Sequence, residues 1–186
     1  MTLAQLLAHL SEHWVMWAVS VTLVVAAVID GLYLKVPNNI TYPLIIAGWI
    51  YSFAIGGFVG LGLSLLANFV GFACLFFLHL IGGMGAGDVK LLAGIAAFVG
   101  IQHTIWIFAA TTVIGAIIAV GQIAWSGNWM KHYFQAHAIV HEIQTVRDAD
   151  KLYDMAQARK SQMLLLPYGI PMTIAAIGYF AMYGML

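Results

Sequence analysis

The sequence predicts an all-α, polytopic membrane protein of about six transmembrane helices, forming a single domain over residues 1–186. Of these residues 63% are hydrophobic and only 8% are charged, whereas a soluble domain carries about 25% charged residues. Long apolar runs are separated by short breaks rich in Pro, Asn or Gly. With six spans, all seven Lys and Arg residues would fall on one side.

The N-terminal segment 1–13 predicts a short interfacial helix that leads into the first span. Its apolar residues recur at helical spacing, as expected for a helix lying on a membrane. They are Leu3, Leu6, Leu7, Leu10 and Trp14.

Six apolar stretches follow, and the chemistry of the breaks between them sets their limits. The first four breaks lie at 35–39, 56–57, 82–87 and 100–103, and the polar segment 126–162 is the fifth. In the first break, Pro37 disfavours helix in the residue before it, and Asn38 or Asn39 can cap the next helix. The predicted spans are 14–34, 40–55, 59–81, a short one from 88 to the break at 100–103, one from there to 125, and 163–183.

The positions of the cations predict the orientation. Six spans place Lys35, Lys90 and the five cations of segment 126–162 on the same side, which the positive-inside tendency makes the cytoplasm. Both termini would then lie outside, and segment 126–162 would form a cytoplasmic amphipathic helical region.

The net charge, the cysteine count and the histidine spacing disfavour several classes of partner and ligand. The net charge is zero, so no nucleic-acid partner is expected, and the single Cys74 excludes an internal disulfide or a Cys-based zinc site. His137 and His141 lie four residues apart, but they precede Glu142 in the order HxxxHE rather than HExxH. We therefore expect no metal and no cofactor.

Asp30 is the first candidate functional residue. It lies about one turn inside the end of the first span, after an uncharged run, and an ionisable residue inside a membrane helix is a functional candidate by default. Ala26 and Ala27 share its helical face and would let another helix approach closely. The alternative is an interfacial aspartate that reaches water or pairs with Lys35.

Asp88 is the second candidate, directly after a glycine-rich loop at the start of the fourth span. Glycines allow backbone geometries and close approaches that side chains would block. The alternative is that Asp88 only caps a helix. Two carboxylates in a site of low dielectric cannot easily both ionise, and one proton shared between them suits peptide hydrolysis.

Three segments resemble the type IV prepilin peptidase family of GxGD membrane aspartic proteases. They are DGLYLKVPN at 30–38, GAGDVKLL at 85–92 and PYGIP at 167–171, in the family's order. The resemblance implies that Asp30 and Asp88 are catalytic. It also suggests that Gly85, Gly87, Lys90, Pro37 and Asn38 shape the site or contact substrate. Lys90 lies two residues past Asp88, so it should face elsewhere and extend toward the lipid headgroups.

The resemblance further implies the substrate and the compartment. The family removes a basic leader from prepilins or pseudopilins at the cytoplasmic face of the bacterial inner membrane, so the expected partners are these substrates, membrane lipid and the pilus or secretion assembly machinery. The chain has one cysteine and no CxxC-bearing insert, which resembles the short form associated with Tad/Flp pili and argues against N-methyltransferase activity. An archaeal-type preflagellin peptidase and a proton-coupled small transporter remain alternatives.

Overall fold

The computed structural model describes residues 3–80, 84–126, 130, 137 and 166–186. Each regular element in this part of the chain is an α-helix, which confirms the predicted all-α class for these residues. The five helices are α1 (Leu3–Tyr33), α2 (Asn38–Leu80), α3 (Ala86–Val99), α4 (Ile101–Ser126) and α5 (Gly169–Met182).

Helix α1 contains a break at His13, where φ is −111° and ψ is 16°. The predicted boundary between the N-terminal helix and the first apolar stretch therefore coincides with a change of backbone direction. Beyond it, Val19, Leu23, Ala26 and Asp30 are buried at spacings of four, three and four residues, the repeat of one helical face. Asp30 thus ends the buried stripe of α1.

Helix α2 is a hairpin of two arms, 38–56 and 58–80, that meet at Gly57. The φ of Gly57 is 57° and its ψ is −146°, a combination that is close to restricted to glycine. Ser52 and Ser64 both donate hydrogen bonds to the carbonyl oxygen of Ala97, at 3.0 and 2.7 Å. A straight helix would place these serines about 18 Å apart. The chain therefore reverses at Gly57, which confirms the predicted break.

Helix α3 packs between the two arms of α2 and is buried along most of its length. Glycines make this close packing possible. A Cβ at Gly48 would lie 2.6 Å from the Cβ of Ala97, and one at Gly71 would lie 2.8 Å from the Cβ of Ala96. With 14 residues, α3 is about 21 Å long, and its burial makes it the central helix of the bundle.

Helix α4 starts after Gly100, whose φ of 83° breaks the apolar run where we predicted. It runs antiparallel to α5. Near one end of the pair, His103 Nδ1 lies 2.8 Å from the Tyr179 hydroxyl. Near the other end, Tyr168 packs against Gly115.

The predicted start of the last span was wrong. We expected a helix from residue 163, but residues 166–168 are not helical and α5 begins at Gly169. Pro167 explains the difference, because its ring disfavours helix in the residue before it, and its carbonyl accepts a hydrogen bond from Ile170 N as the first turn forms. Residues 163–165 lie outside the described part of the chain.

The structure is that of a membrane protein. Within the described residues, three helical segments are long and apolar enough to cross a bilayer, namely His13–Tyr33, Asn38–Leu80 and Ile101–Trp125, and Gly169–Met182 is apolar but shorter. Many large apolar side chains are exposed, among them Phe58 and Trp125, as a lipid-facing surface requires. The count of six spans and their orientation remain predictions, and segment 126–162 lies outside the described residues except for Ser126, Met130 and His137.

Candidate active site

Asp30 lies in the last turn of α1 and is 2% exposed. Its carboxylate Oδ2 accepts a hydrogen bond from the backbone N–H of Gly169, at 2.8 Å. Gly169 is the first residue of α5. The interfacial alternative, in which Asp30 reaches water or pairs with Lys35, does not describe this buried side chain.

Asp88 lies in the first turn of α3 and is 4% exposed. Its Oδ2 accepts a hydrogen bond from the backbone N–H of Gly85, the N-cap residue of α3, at 3.1 Å. Asp88 therefore does cap its own helix, as the structural alternative predicted. Since a capping carboxylate still carries a charge and a second oxygen, this role is compatible with chemistry.

Each carboxylate thus accepts a hydrogen bond from a backbone N–H at the start of a helix. The first N–H groups of a helix lack intrahelical acceptors, and the helix dipole favours negative charge there. Asp88 accepts its hydrogen bond from Gly85 at the start of its own helix. Asp30 accepts its hydrogen bond from Gly169 at the start of α5, 139 residues further along the chain.

Tyr168 and Gly169 connect the two aspartates. Gly169 binds Asp30, and Tyr168 precedes α5 close to Asp88. Burial raises the pKa of the Tyr168 hydroxyl above its ordinary value, a hydrogen bond with Thr112 opposes the shift, and the negative charge of Asp88 adds to it. Val36, six residues after Asp30, lies against Gly87, which directly precedes Asp88, so both carboxylates lie at the same end of the bundle.

Gly85 and Gly87 allow close approach, as expected, but the groups that approach belong to the chain itself. A Cβ at Gly85 would lie 3.2 Å from Asp88 Oδ2. A Cβ at Gly87 would lie 2.5 Å from the Val36 carbonyl oxygen and 2.9 Å from the Val36 Cβ. The glycine loop therefore packs against the segment between α1 and α2.

Lys90 connects α3 to the start of α2. Its Nζ donates hydrogen bonds to Asn38 Oδ1 at 2.9 Å and to the Tyr42 hydroxyl at 3.0 Å, and it lies 4.7 Å from the centre of the Tyr42 ring. The ammonium group is therefore engaged within the chain by two hydrogen bonds, and its extension toward the headgroups stays a prediction.

The predicted capping role of Asn38 or Asn39 was also wrong. Helix α2 already includes Asn38, and the Pro37 carbonyl accepts the hydrogen bonds of Ile40 N and Thr41 N. Pro37 is thus the residue at the helix start, because its fixed φ suits that position. The Asn38 amide oxygen is occupied by Lys90 instead.

Sequence reasoning missed the importance of Tyr168 and Gly169. Their motif, PYGIP at 167–171, was noted only as a supporting resemblance, although a glycine between two prolines indicates a special backbone site. Thr112 and Gly115, which contact Tyr168, carried no signal in the sequence.

Comparison with known proteins identifies a family whose sequence model matches this chain. The sequence model described as the type IV leader peptidase family matches residues 17–120, a range that includes Asp30 and Asp88 and ends before α5.

Curated relatives named prepilin leader peptidase/N-methyltransferase are similar to this chain over part of its length. The one from Aeromonas hydrophila is 33% identical over 108 residues, which is 54% of this chain and 37% of the relative. The one from Vibrio cholerae is 32% identical over 100 residues, 48% of this chain and 38% of the relative. The one from Neisseria gonorrhoeae is 34% identical over 98 residues, 49% of this chain and 33% of the relative. The chain therefore spans little more than a third of these relatives, and no solved structure gives a significant match to it.

Proposed function

This chain belongs to the type IV leader peptidase family, and on that basis we propose that it is a prepilin leader peptidase with Asp30 and Asp88 as its catalytic pair. The observation that carries the proposal is the burial of two aspartates at one end of an apolar helical bundle. Buried ionisable groups in a membrane protein are expensive to maintain and mark functional sites.

The proposed reaction is hydrolysis of the peptide bond between leader and pilin. One carboxylate is ionised and takes a proton from a water molecule, whose oxygen attacks the scissile carbonyl carbon. The other is protonated and hydrogen-bonds the carbonyl oxygen as negative charge develops there. When the C–N bond breaks, the leaving amine takes up a proton, and the pair returns to its singly protonated state.

The proposed location is the cytoplasmic face of the bacterial inner membrane. Lys35 and Lys90 flank the two aspartates in sequence, and Lys90 lies at the aspartate end through its contact with Asn38. Cations at this end support a cytoplasmic orientation. Six spans, with the two arms of α2 counted separately, would place the start of α3 and the end of α1 on that side.

The proposed substrates are prepilins or pseudopilins, and the pilus or secretion machinery that uses them is the proposed partner. The relatives' names include N-methyltransferase activity, whereas this sequence has a single cysteine and no CxxC motif. We propose leader cleavage alone, in a short form of the Tad/Flp type. The mass of the mature pilin N-terminus distinguishes cleavage from cleavage followed by methylation.

The test is cleavage of a co-expressed prepilin by wild type, Asp30→Asn and Asp88→Asn, read as the mass of the new N-terminus. Each substitution should lower the rate by about 10²-fold or more, because it removes an acid–base group. Ser20→Ala is the matched control, since Ser20 is a buried polar residue of the same helix that bonds to Met16 O in its own turn. Near wild-type processing by either Asn variant, with normal membrane insertion, would refute the catalytic pair.

A further inference from the structure

We infer that the first turn of α5 is the positioning element of Asp30, with Gly169 as the residue that holds its carboxylate. The inference rests on the proposed function, and it assigns a role to a segment beyond the residues that match the family. Gly169 is a positioning residue because it acts on substrate only through Asp30.

The contact itself is direct and short. Gly169 N donates to Asp30 Oδ2 at 2.8 Å, and the bond is buried. As the first residue of α5, Gly169 has no intrahelical acceptor for this N–H, so the helix loses nothing by giving it to Asp30. With Oδ2 held, Oδ1 is the oxygen left to engage water and substrate.

The space around this contact admits only glycine without adjustment. A Cβ at position 169 would lie 3.0 Å from Asp30 Oδ2 and 3.1 Å from Asp30 Cβ. Contacts this tight force the neighbouring group to move by a few tenths of an ångström. Any side chain at position 169 would therefore displace the carboxylate.

The position of the Gly169 amide is fixed by neighbouring helices and not by Asp30 alone. One turn later, the Thr173 hydroxyl donates to the Leu23 carbonyl of α1 at 3.0 Å. On the other side, the Tyr168 ring lies 3.4 Å from where a Cβ of Gly115 in α4 would be. The first turn of α5 is thus wedged between α1 and α4, and it presents its N–H to Asp30 from a rigid support.

The two aspartates differ in what their geometry depends on. The bond from Gly85 to Asp88 spans three residues and forms wherever α3 begins. The bond from Gly169 to Asp30 spans 139 residues and forms only when α5 docks. Asp30 is therefore the carboxylate whose orientation depends on assembly of the whole bundle.

The contact can be tested without any substrate, by NMR of detergent-solubilised protein labelled with ¹⁵N at its 19 glycines. Asp30→Asn should shift the Gly169 amide proton resonance and leave the Gly85 amide in place, because only the Gly169 amide loses its carboxyl acceptor. Asp88→Asn should do the reverse and is the matched control. A Gly169 amide that is unaffected by Asp30→Asn would overturn the inference.

The role in catalysis is tested by Gly169→Ala, with kcat and KM measured separately. We expect kcat to fall by about 10²-fold, as a small misplacement of a catalytic group does, and KM to change less than about twofold because the substrate contacts remain. Gly178→Ala is the matched control on the same helix, since a Cβ there meets no atom within 4 Å in the part of the chain that the structure describes. It should retain the wild-type kcat.

Thr173→Val separates positioning from docking. It removes the α5–α1 hydrogen bond one turn away from Gly169, so it should lower thermal stability but cost the folded enzyme much less kcat than Gly169→Ala does, because the Tyr168–Gly115 contact still supports the Gly169 amide. A wild-type kcat for Gly169→Ala, or an equal loss of kcat in Thr173→Val, would overturn the positioning role. An inactive wild type would instead overturn the proposed function, and the amide shift would still report whether the contact exists.

Discussion

The backbone of Val36 lies directly against Gly87, with its carbonyl oxygen 2.5 Å from the point where a Cβ of residue 87 would be. Val36 is buried in the segment between α1 and α2, six residues after Asp30, and Gly87 immediately precedes Asp88. This approach of two backbones ties the end of the helix that carries one aspartate to the start of the helix that carries the other.

Gly87→Ala should therefore damage both stability and activity. The new Cβ meets backbone atoms, which cannot rotate away, so a loss of about 1–3 kcal/mol in the free energy of unfolding is expected, as for other overpacked sites. Cleavage per folded molecule should also fall, because the segments that follow Asp30 and precede Asp88 are pushed apart. Unfolding in detergent and prepilin cleavage measure the two effects.

Gly121→Ala is the control for this prediction. Gly121 lies in α4, and a Cβ there meets no atom of the described residues within 4 Å, so alanine should leave activity unchanged and raise stability by up to about 1 kcal/mol through helix propensity. Equal unfolding free energies and equal cleavage rates for Gly87→Ala and Gly121→Ala would show that the Val36 contact affects neither stability nor activity.

Gly57→Ala tests the turn of the α2 hairpin. No atom lies within 4 Å of a Cβ at this position, but φ is +57°, so the effect of alanine should come from backbone strain alone, about 1–3 kcal/mol. The adjacent Gly56→Ala has the same open space without the positive φ and should be neutral or slightly stabilising. Comparable unfolding free energies for the two variants would contradict a strained turn at Gly57.

Much of the fold could be predicted because its breaks are local events. The breaks at Gly57 and Gly100 come from glycines that end or interrupt helices within their own turn, and the structure has both where the sequence indicated. The start of α5 was predicted six residues too early because apolar composition continues through Pro167, and hydropathy does not register a missing N–H.

The candidate site was predictable in its acidic residues and not in their partners. A buried charge stands out in an apolar sequence, so Asp30 and Asp88 could be identified one at a time. Their surroundings depend on contacts between distant segments, such as Gly169 with Asp30 and Val36 with Gly87. Asn38 shows the same limit, because its amide oxygen accepts a hydrogen bond from Lys90, 52 residues away, a partner that local sequence does not indicate.

Lys90→Met tests whether Lys90 shapes the site or contacts the leader. Methionine keeps an apolar stem and removes the hydrogen bonds to Asn38 and Tyr42, so stability should fall by about 0.5–1.5 kcal/mol. Because Nζ is already engaged within the chain, KM for the prepilin should not change. A clear rise in KM with unchanged stability would assign Lys90 to leader binding instead.

Tyr42→Phe supplies the control for Lys90, since it removes only the hydroxyl that Nζ contacts and keeps the ring beneath the cation. The loss of stability in Tyr42→Phe should be smaller than the loss in Lys90→Met. The double variant should lose less unfolding free energy than the sum of the losses in the two single variants, because Lys90 and Tyr42 share one interaction.

The shared acceptor of Ser52 and Ser64 predicts a cooperative loss of stability. The Ala97 carbonyl is one of the last four of α3, which lack intrahelical donors, and both hydroxyls donate to it. Ser52→Ala or Ser64→Ala alone leaves one donor in place, so each should cost about 0.5–1 kcal/mol.

The double variant leaves a buried carbonyl without either serine and should lose about 1–3 kcal/mol more than a single one, measured as unfolding free energy in detergent. Ser64→Ala combined with Thr22→Ala, whose hydroxyl bonds to Ala18 O in its own helix, should be additive, and additivity in the serine pair as well would show that the two bonds act independently.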